Sequence, residues 1–206
     1  MRWLYGGVAA VALLAGLFLA WSGQQPPRVS ALWLPEPREL VAFELTDDLG
    51  QPYGNDSLRG HWTLLFMGFT SCPDVCPSTM ARLASAYPPL AQQLNLQVVL
   101  MSVDPQRDSS DRLHQYVGYF NPAFRAVTGE HSQLFALSRS LGLMYAMVDS
   151  DGADGYSVDH SADIVLINPQ GQLEAIFRPQ GGVGALRLVS MAHLKADLPA
   201  IARFRS

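Results

Sequence analysis

Two cysteines, Cys72 and Cys76, lie four positions apart in Gly68-Phe69-Thr70-Ser71-Cys72-Pro73-Asp74-Val75-Cys76-Pro77, and each is followed by proline. A proline disfavours the helical conformation in the residue before it. Pro77 suits the first position of a helix, which leaves Cys76 at the cap. Sulfurs at a helix N-terminus meet free N–H groups and the positive end of the helix dipole, and both favour thiolate over thiol. Thiolates so placed attack disulfides or hold a soft metal. Two cysteines are too few for a disulfide-stapled scaffold, and a bond between them closes a loop too small to add much stability. Four helical positions separate Cα atoms by about 6 Å, inside the range a disulfide accepts, so the pair can cycle between dithiol and disulfide.

Two thiolates leave a metal site incomplete, and the five histidines are the next ligands to consider. His61 opens an apolar run, His114 and His193 fall in amphipathic segments, and His131 starts a helix-like stretch. Surface or capping roles suffice for these four. His160 stands in Tyr156-Ser157-Val158-Asp159-His160-Ser161, just before the apolar run Ile164–Asn168. If the cysteines end a central strand, that segment enters the site where disulfide oxidoreductases place a proline, and this chain has none between Pro122 and Pro169. Two thiolates and an imidazole suit copper, since sulfur selects Cu(I) and the imidazole accommodates Cu(II). Zinc accepts the same ligands and usually takes a fourth, so the ligand types alone leave it open.

The elements that must position these residues follow from periodicity. Trp62–Phe69 and Leu96–Val103 are continuous apolar runs, as expected of strands buried on both faces. Short strands are predicted at Val41–Leu45, Phe124–Thr128, Met144–Val148, Asp163–Asn168 and Leu173–Arg178. Helices are predicted over Pro77–Leu94, over Ser109–Phe120 with Asp108 or Ser109 as cap, over Ser132–Leu141 ended by Gly142, and over Val183–Phe204. Alternating strands and helices, then a hairpin and a terminal helix, predict an α/β fold with a mixed sheet flanked by helices. A cysteine pair where a buried strand gives way to a helix is the thioredoxin-like arrangement.

Upstream, Trp3–Trp21 carries no charge, and nineteen helical residues span about 28 Å, close to the hydrocarbon thickness of a bilayer. Arg2 precedes the run, which places the N-terminus in the cytoplasm and exports the rest. Ala20 and Ser22 offer a passable signal-peptide cleavage site, but Trp21 lies inside it and the apolar run exceeds the usual length. The expected organisation is a transmembrane anchor over residues 1–22, a tether with four prolines over 23–40, and one domain over 41–206.

Several function classes are excluded or demoted. A net charge of −4 gives no cationic surface for nucleic acid. The acidic stretch from Asp149 places Ala153 and Asp154 where an EF-hand needs an oxygen ligand and a glycine. A thiol–disulfide reductase acting on exported proteins is the alternative to metal binding, though such enzymes usually carry Cys-x-x-Cys and the proline loop. A peroxidase would want a proline four residues before Thr70, where Phe66 stands.

Thr70–Pro77, Ser102-Val103-Asp104-Pro105-Gln106-Arg107-Asp108 and Val158-Asp159-His160-Ser161, in that order, resemble the Sco/SenC family over about residues 41–200. The resemblance implies a membrane-anchored, thioredoxin-like protein that binds copper through Cys72, Cys76 and His160. It also implies help in maturing the dinuclear copper centre of cytochrome c oxidase subunit II, by metal delivery or by reduction of that subunit's cysteines. A bacterial inner-membrane protein with a single span and a periplasmic domain is the setting, with room for another periplasmic copper chaperone as donor. Asp104 matches an acidic position that the family places near the metal. It could tune the histidine or the metal from outside the ligand set, or simply open a turn before Pro105.

Overall fold

A computed structural model describes residues 26–149, 155–182 and 186–205, together with Leu13 and Gly16. The anchor expected over residues 1–22 falls outside these residues, Leu13 and Gly16 apart. Among the described residues no helix is long and apolar enough to cross a membrane.

In chain order the elements are β1 (Leu32–Arg38), β2 (Glu44–Asp47), β3 (Pro52–Gly54), a 3-10 turn (Asn55–Leu58), β4 (Trp62–Gly68), α1 (Val75–Ala91) and β5 (Leu96–Ser102). They continue with α2 (Ser110–Phe120), β6 (Arg125–Thr128), α3 (His131–Leu141), β7 (Tyr145–Asp149), β8 (Tyr156–His160), β9 (Ile164–Ile167), β10 (Leu173–Phe177) and α4 (Met191–Arg205). One mixed sheet runs in the order β1-β10-β9-β4-β5-β6-β2-β3, and β7 with β8 forms a separate hairpin. β4, β5 and β6 are mutually parallel, while β9 pairs antiparallel on the other side of β4.

The central strand β4 is buried along all seven residues, which is why its sequence reads as an unbroken apolar run. Strand alternation turns Phe66 and Gly68 to one face and Met67 to the other. On the first face α1 packs against α2 and α4. On the second, Ser138 of α3 donates to the Met67 sulfur at 3.6 Å. Helices thus cover both faces, as the alternating pattern predicts.

Several boundaries differ from the sequence reading, among them the terminal helix, expected from Val183 and observed from Met191. Leu32–Arg38, inside the proline-rich stretch read as tether, is an edge strand paired antiparallel to β10. An edge strand tolerates Pro35 and Pro37 because no neighbour needs their missing N–H groups, and the pairing shifts register across them. The polar segment before His160 is also a strand, β8, pairing residue for residue with β7. Finally, α1 begins at Val75 with Asp74 as N-cap, so Cys76 is its second residue and not its cap.

The chain enters the sheet through two buried carboxylates. Asp197 of α4 accepts from the Ser30 and Ala31 N–H groups at 2.8 and 2.9 Å. Glu174, fully buried in β10, accepts from Trp33 Nε1 and Arg205 Nε, each at 2.7 Å. Arg205 also donates to the carbonyls of Leu34 and Pro35. Removing the guanidinium strands a buried charge, which is strongly destabilising. Arg205→Ala is expected to cost about 3 kcal/mol, read as a lower urea midpoint at unchanged slope. A loss below about 0.5 kcal/mol would place this pair among ordinary surface contacts.

Candidate metal centre

The site lies where β4 ends and α1 begins. Cys72 occupies the connecting turn, its N–H donating to the Phe69 carbonyl at 3.4 Å. Cys76 sits in the first turn of α1, completely buried, while Cys72 is half-buried. Both are free thiols. His160 arrives from the end of β8, and its Nε2 lies 3.5 Å from the Cys76 sulfur. The ligand atoms of Cys72, Cys76 and His160 all fall within 4.8 Å of one another, and among the described residues no other histidine, cysteine or carboxylate joins them.

The imidazole is fixed on all sides. Its Nδ1 lies 3.0 Å from the Ser161 carbonyl, which can only accept. In the neutral ring Nδ1 therefore carries the proton, and the Nε2 lone pair faces the sulfurs. Phe66 and Phe69 meet the ring edge-to-face at 6.0 and 5.8 Å. Tyr145, directly opposite His160 in the hairpin, stacks on Phe135 at 4.3 Å, and its hydroxyl lies 2.9 Å from His131 Nδ1. His131 thus starts α3, as expected, and braces the hairpin. His114 pairs with Asp48, and His193 lies near Gln180.

The two thiols share their protons unequally. Cys72 is held well below the usual thiol range, first because the Cys76 side chain hydrogen-bonds to it, with His160 and the N–H groups of Cys76 and Asp74 adding to the effect against burial. Cys76 is pushed up by that same hydrogen bond, by burial and by the charge on Cys72. The metal-free pair is therefore one accessible thiolate beside one buried thiol.

Asp104 is buried, and neither of its oxygens belongs to the ligand cluster. One accepts from the Tyr156 hydroxyl at 2.6 Å, and the other pairs with Arg107, whose guanidinium lies over the Tyr156 ring at 4.1 Å. Since Tyr156 and His160 share β8, Asp104 ties the histidine's strand to the end of β5.

Two residues to which the sequence reading gave no part at the metal site shape it. Asp108, also fully buried, accepts from the Thr70 N–H at 2.9 Å, the Thr70 hydroxyl at 2.5 Å and the Ser102 hydroxyl at 2.6 Å. It is not the helix cap; Ser109 caps α2 by accepting from the Arg112 N–H. Arg112 then donates to the hydroxyls of Thr70 and Ser71. Gly68 is the other residue. A Cβ there would lie 2.7 Å from the Cys76 sulfur and 3.2 Å from Phe66. A glycine closing a buried strand just before a functional loop is the only sequence signal for it.

Gly68→Ala must displace the Cys76 sulfur, because the strand backbone is locked on both sides. Metal affinity is expected to fall at least about tenfold and stability by about 1–3 kcal/mol, the usual cost of overpacking a core. Competition titration and urea unfolding measure the two, and wild-type affinity in this variant would refute the close-approach argument.

Comparisons with known proteins identify a family and a shared fold. The SCO1/SenC family model matches residues 35–187. A relative from Stutzerimonas stutzeri, named for copper binding, is 37% identical over 153 residues, covering 73% of this chain and 74% of its own length. The crystal structure of Arabidopsis thaliana ScoI with copper bound superposes with a TM-score of 0.68 at 28% identity, covering 79% of this chain and 97% of that one. The apo Sco1 protein of Thermus thermophilus gives 0.66 at 28% identity, with 87% and 96% covered. The chain belongs to the SCO1/SenC family.

Proposed function

We propose that this chain is an assembly factor that binds copper, as Cu(I) and Cu(II), through Cys72, Cys76 and His160, and serves the dinuclear copper centre of cytochrome c oxidase subunit II. The convergence of two sulfurs and one imidazole nitrogen within 4.8 Å carries the reading. With metal–sulfur bonds of about 2.3 Å, trigonal ligands sit roughly 4 Å apart, so the separations need to change by less than about an ångström. The donor set is soft and has three members, which suits Cu(I) better than a structural zinc site of four. The cradle at Gly68 leaves room for the Cys76 sulfur and nothing larger.

Loading Cu(I) onto this pair forms two metal–sulfur bonds and releases the one proton that Cys76 holds. His160 brings its lone pair already aimed. In cells the anchor over residues 1–22 places the domain in the periplasm, at the outer face of the bacterial inner membrane. Subunit II presents its copper-binding domain to the same layer, and confinement raises the effective concentration of the partners.

Purified full-length chain is expected to bind one Cu(I) in the reduced state. Diamide, which takes two electrons and the Cys76 proton from the pair and a second proton from water, should leave a Cys72–Cys76 disulfide and no binding. His160→Ala should weaken the Cu(II) form, seen as loss of its thiolate charge-transfer absorption, more than the Cu(I) form, because two thiolates alone can hold Cu(I). Equal losses in both states would make His160 a general structural residue.

The asymmetric thiols support a second reading, a thiol–disulfide reductase with Cys72 as the accessible nucleophile and Cys76 as the buried thiol that resolves the mixed disulfide. A strain lacking the protein separates the two readings. The copper reading expects loss of an oxidase that contains the dinuclear copper centre, partial rescue by added copper, and an unaffected oxidase that lacks the centre. Failure of both oxidases, together with unrelated disulfide-dependent exported proteins, would favour the reductase.

A further inference from the structure

The strand register places the chain's point of entry at the metal-site end of the sheet. Leu32, Ile176, Val165 and Leu65 form one row across β1, β10, β9 and β4. All three pairings are antiparallel, so β4 and β10 run one way while β9 and β1 run the other. Beyond that row, on the side where β4 ends, β10 also ends and β9 and β1 begin. The same end therefore carries the cysteine loop, Asp163, Arg178 and Ser30. Three strand spacings of about 4.8 Å put β1 roughly 14 Å from β4. From the expected anchor, residues 23–30 reach at most roughly 28 Å when fully extended.

The corner beside that entry has a chemistry of its own. Past β10 the chain doubles back, with Gln180 and Leu188 exchanging backbone hydrogen bonds of 2.9 and 3.2 Å. Arg187 on the returning limb and Arg178 on the outgoing one line an open cavity of about 460 Å³, in which Asp163 is the one carboxylate. Arg178 also borders the cleft at Ser30 and Ala31, two residues after Arg28. All three arginines are exposed, and among the described residues none of their guanidiniums has a hydrogen bond or salt bridge. Leu32 and Leu186, each about half-exposed, stand at the same corner, the latter against Gly181. In a chain of net charge −4, three unpaired guanidiniums in one place are a local exception. Cations flanking exposed leucines match a membrane surface, where guanidiniums take lipid phosphates and the leucines enter the boundary layer.

We propose that the metal-site end of the sheet faces the bilayer, docked through Arg28, Arg178 and Arg187 on the phosphates of anionic phospholipids. The inference rests on the anchored copper reading above and adds an orientation to it. A domain held by a tether alone samples every direction, whereas this contact turns the cysteine loop toward the membrane surface. Association slows when two specific patches must find each other by rotation, and a client that presents its own site near that surface meets a loop already facing it.

The full chain in lipid nanodiscs is the material for the test, and amide hydrogen exchange is the readout. Each arginine near an anionic surface is worth about fivefold, so three favour the docked state by roughly a hundredfold. In discs of phosphatidylcholine mixed with phosphatidylglycerol, residues 28–32, 178–182 and 186–188 are expected to exchange at least about tenfold more slowly than in phosphatidylcholine alone. Gly60, Asn95 and Gln170, at the opposite end of the sheet, should not respond. Arg178→Gln combined with Arg187→Gln should weaken docking about twenty-five-fold and so remove most of the slowing, with Cu(I) affinity unchanged. Slowing confined to the opposite end overturns the orientation, and a double variant as protected as the wild type overturns the arginine assignment. Inorganic phosphate that slows the same residues in neutral discs would make the cavity a soluble-anion site and overturn the membrane assignment. A chain that does not enter the disc overturns the anchor reading and this inference with it. A chain that enters the disc, binds copper and exchanges equally in both lipids overturns this inference alone.

Discussion

The cysteine loop depends on one buried charge. Asp108 has no exposed surface, and its carboxylate gathers the Thr70 backbone and side chain and the Ser102 hydroxyl. These groups belong to the turn before Cys72 and the end of β5, and Asp108 itself precedes α2. A buried carboxylate is tolerable only when hydrogen bonds saturate it. The requirement therefore runs in both directions: the loop satisfies the charge, and the charge holds the loop. Arg112 extends the brace from the solvent side by donating to Thr70 and Ser71. With Thr70 fixed, Cys72 and the start of α1 have little freedom left, and Gly68 sets how closely the Cys76 sulfur may approach the sheet.

The imidazole beside the two sulfurs is held differently. His160 belongs to a two-stranded hairpin outside the main sheet, and side chains rather than ladder hydrogen bonds attach that hairpin. Tyr156 bonds to Asp104, Tyr145 meets Phe135 and His131, and the imidazole rests against Phe66 and Phe69. Isolated hairpins are marginal in water, so these contacts are what keep the ring in place. Both sulfurs thus stand on a rigid strand–helix junction and the imidazole on a separately anchored unit.

The sequence and the structure agree where local signals coincide with burial. Trp62–Phe69 and Leu96–Val103 are legible because a strand covered on both faces must be apolar throughout, and α3 is legible because Gly142 adopts the left-handed conformation that ends it. Pro35 and Pro37 conceal β1, since the rule against proline in strands does not bind at an edge. β8 does alternate, with Tyr156, Val158 and His160 turned inward and Ser157 and Asp159 exposed, but five residues with a single aliphatic side chain are too few for the alternation to stand out from a polar loop. The site divides along the same line. Cys72, Cys76 and His160 announce themselves by chemical type and context. Gly68 and Asp108 act through approaches between segments far apart in sequence, and a single position carries no sign of such contacts.

Asp104 shows how that limit is crossed only with coordinates. In the sequence it is equally a turn opener before Pro105 and a tuner of the metal. Its oxygens are engaged by Tyr156 and Arg107, and it stands outside the ligand cluster. What it can influence is the position of β8, and through β8 the distance between His160 Nε2 and the two sulfurs. The same carboxylate thus anchors the strand that carries His160. Placement of the sulfurs through Asp108 and of the imidazole through Asp104 gives the site two supports, joined at Ser102, whose hydroxyl donates to Asp108 and accepts from the Asp104 N–H. A metal bound by all three ligands joins them, and loss of the imidazole alone leaves the two thiolates where the sheet and α1 hold them.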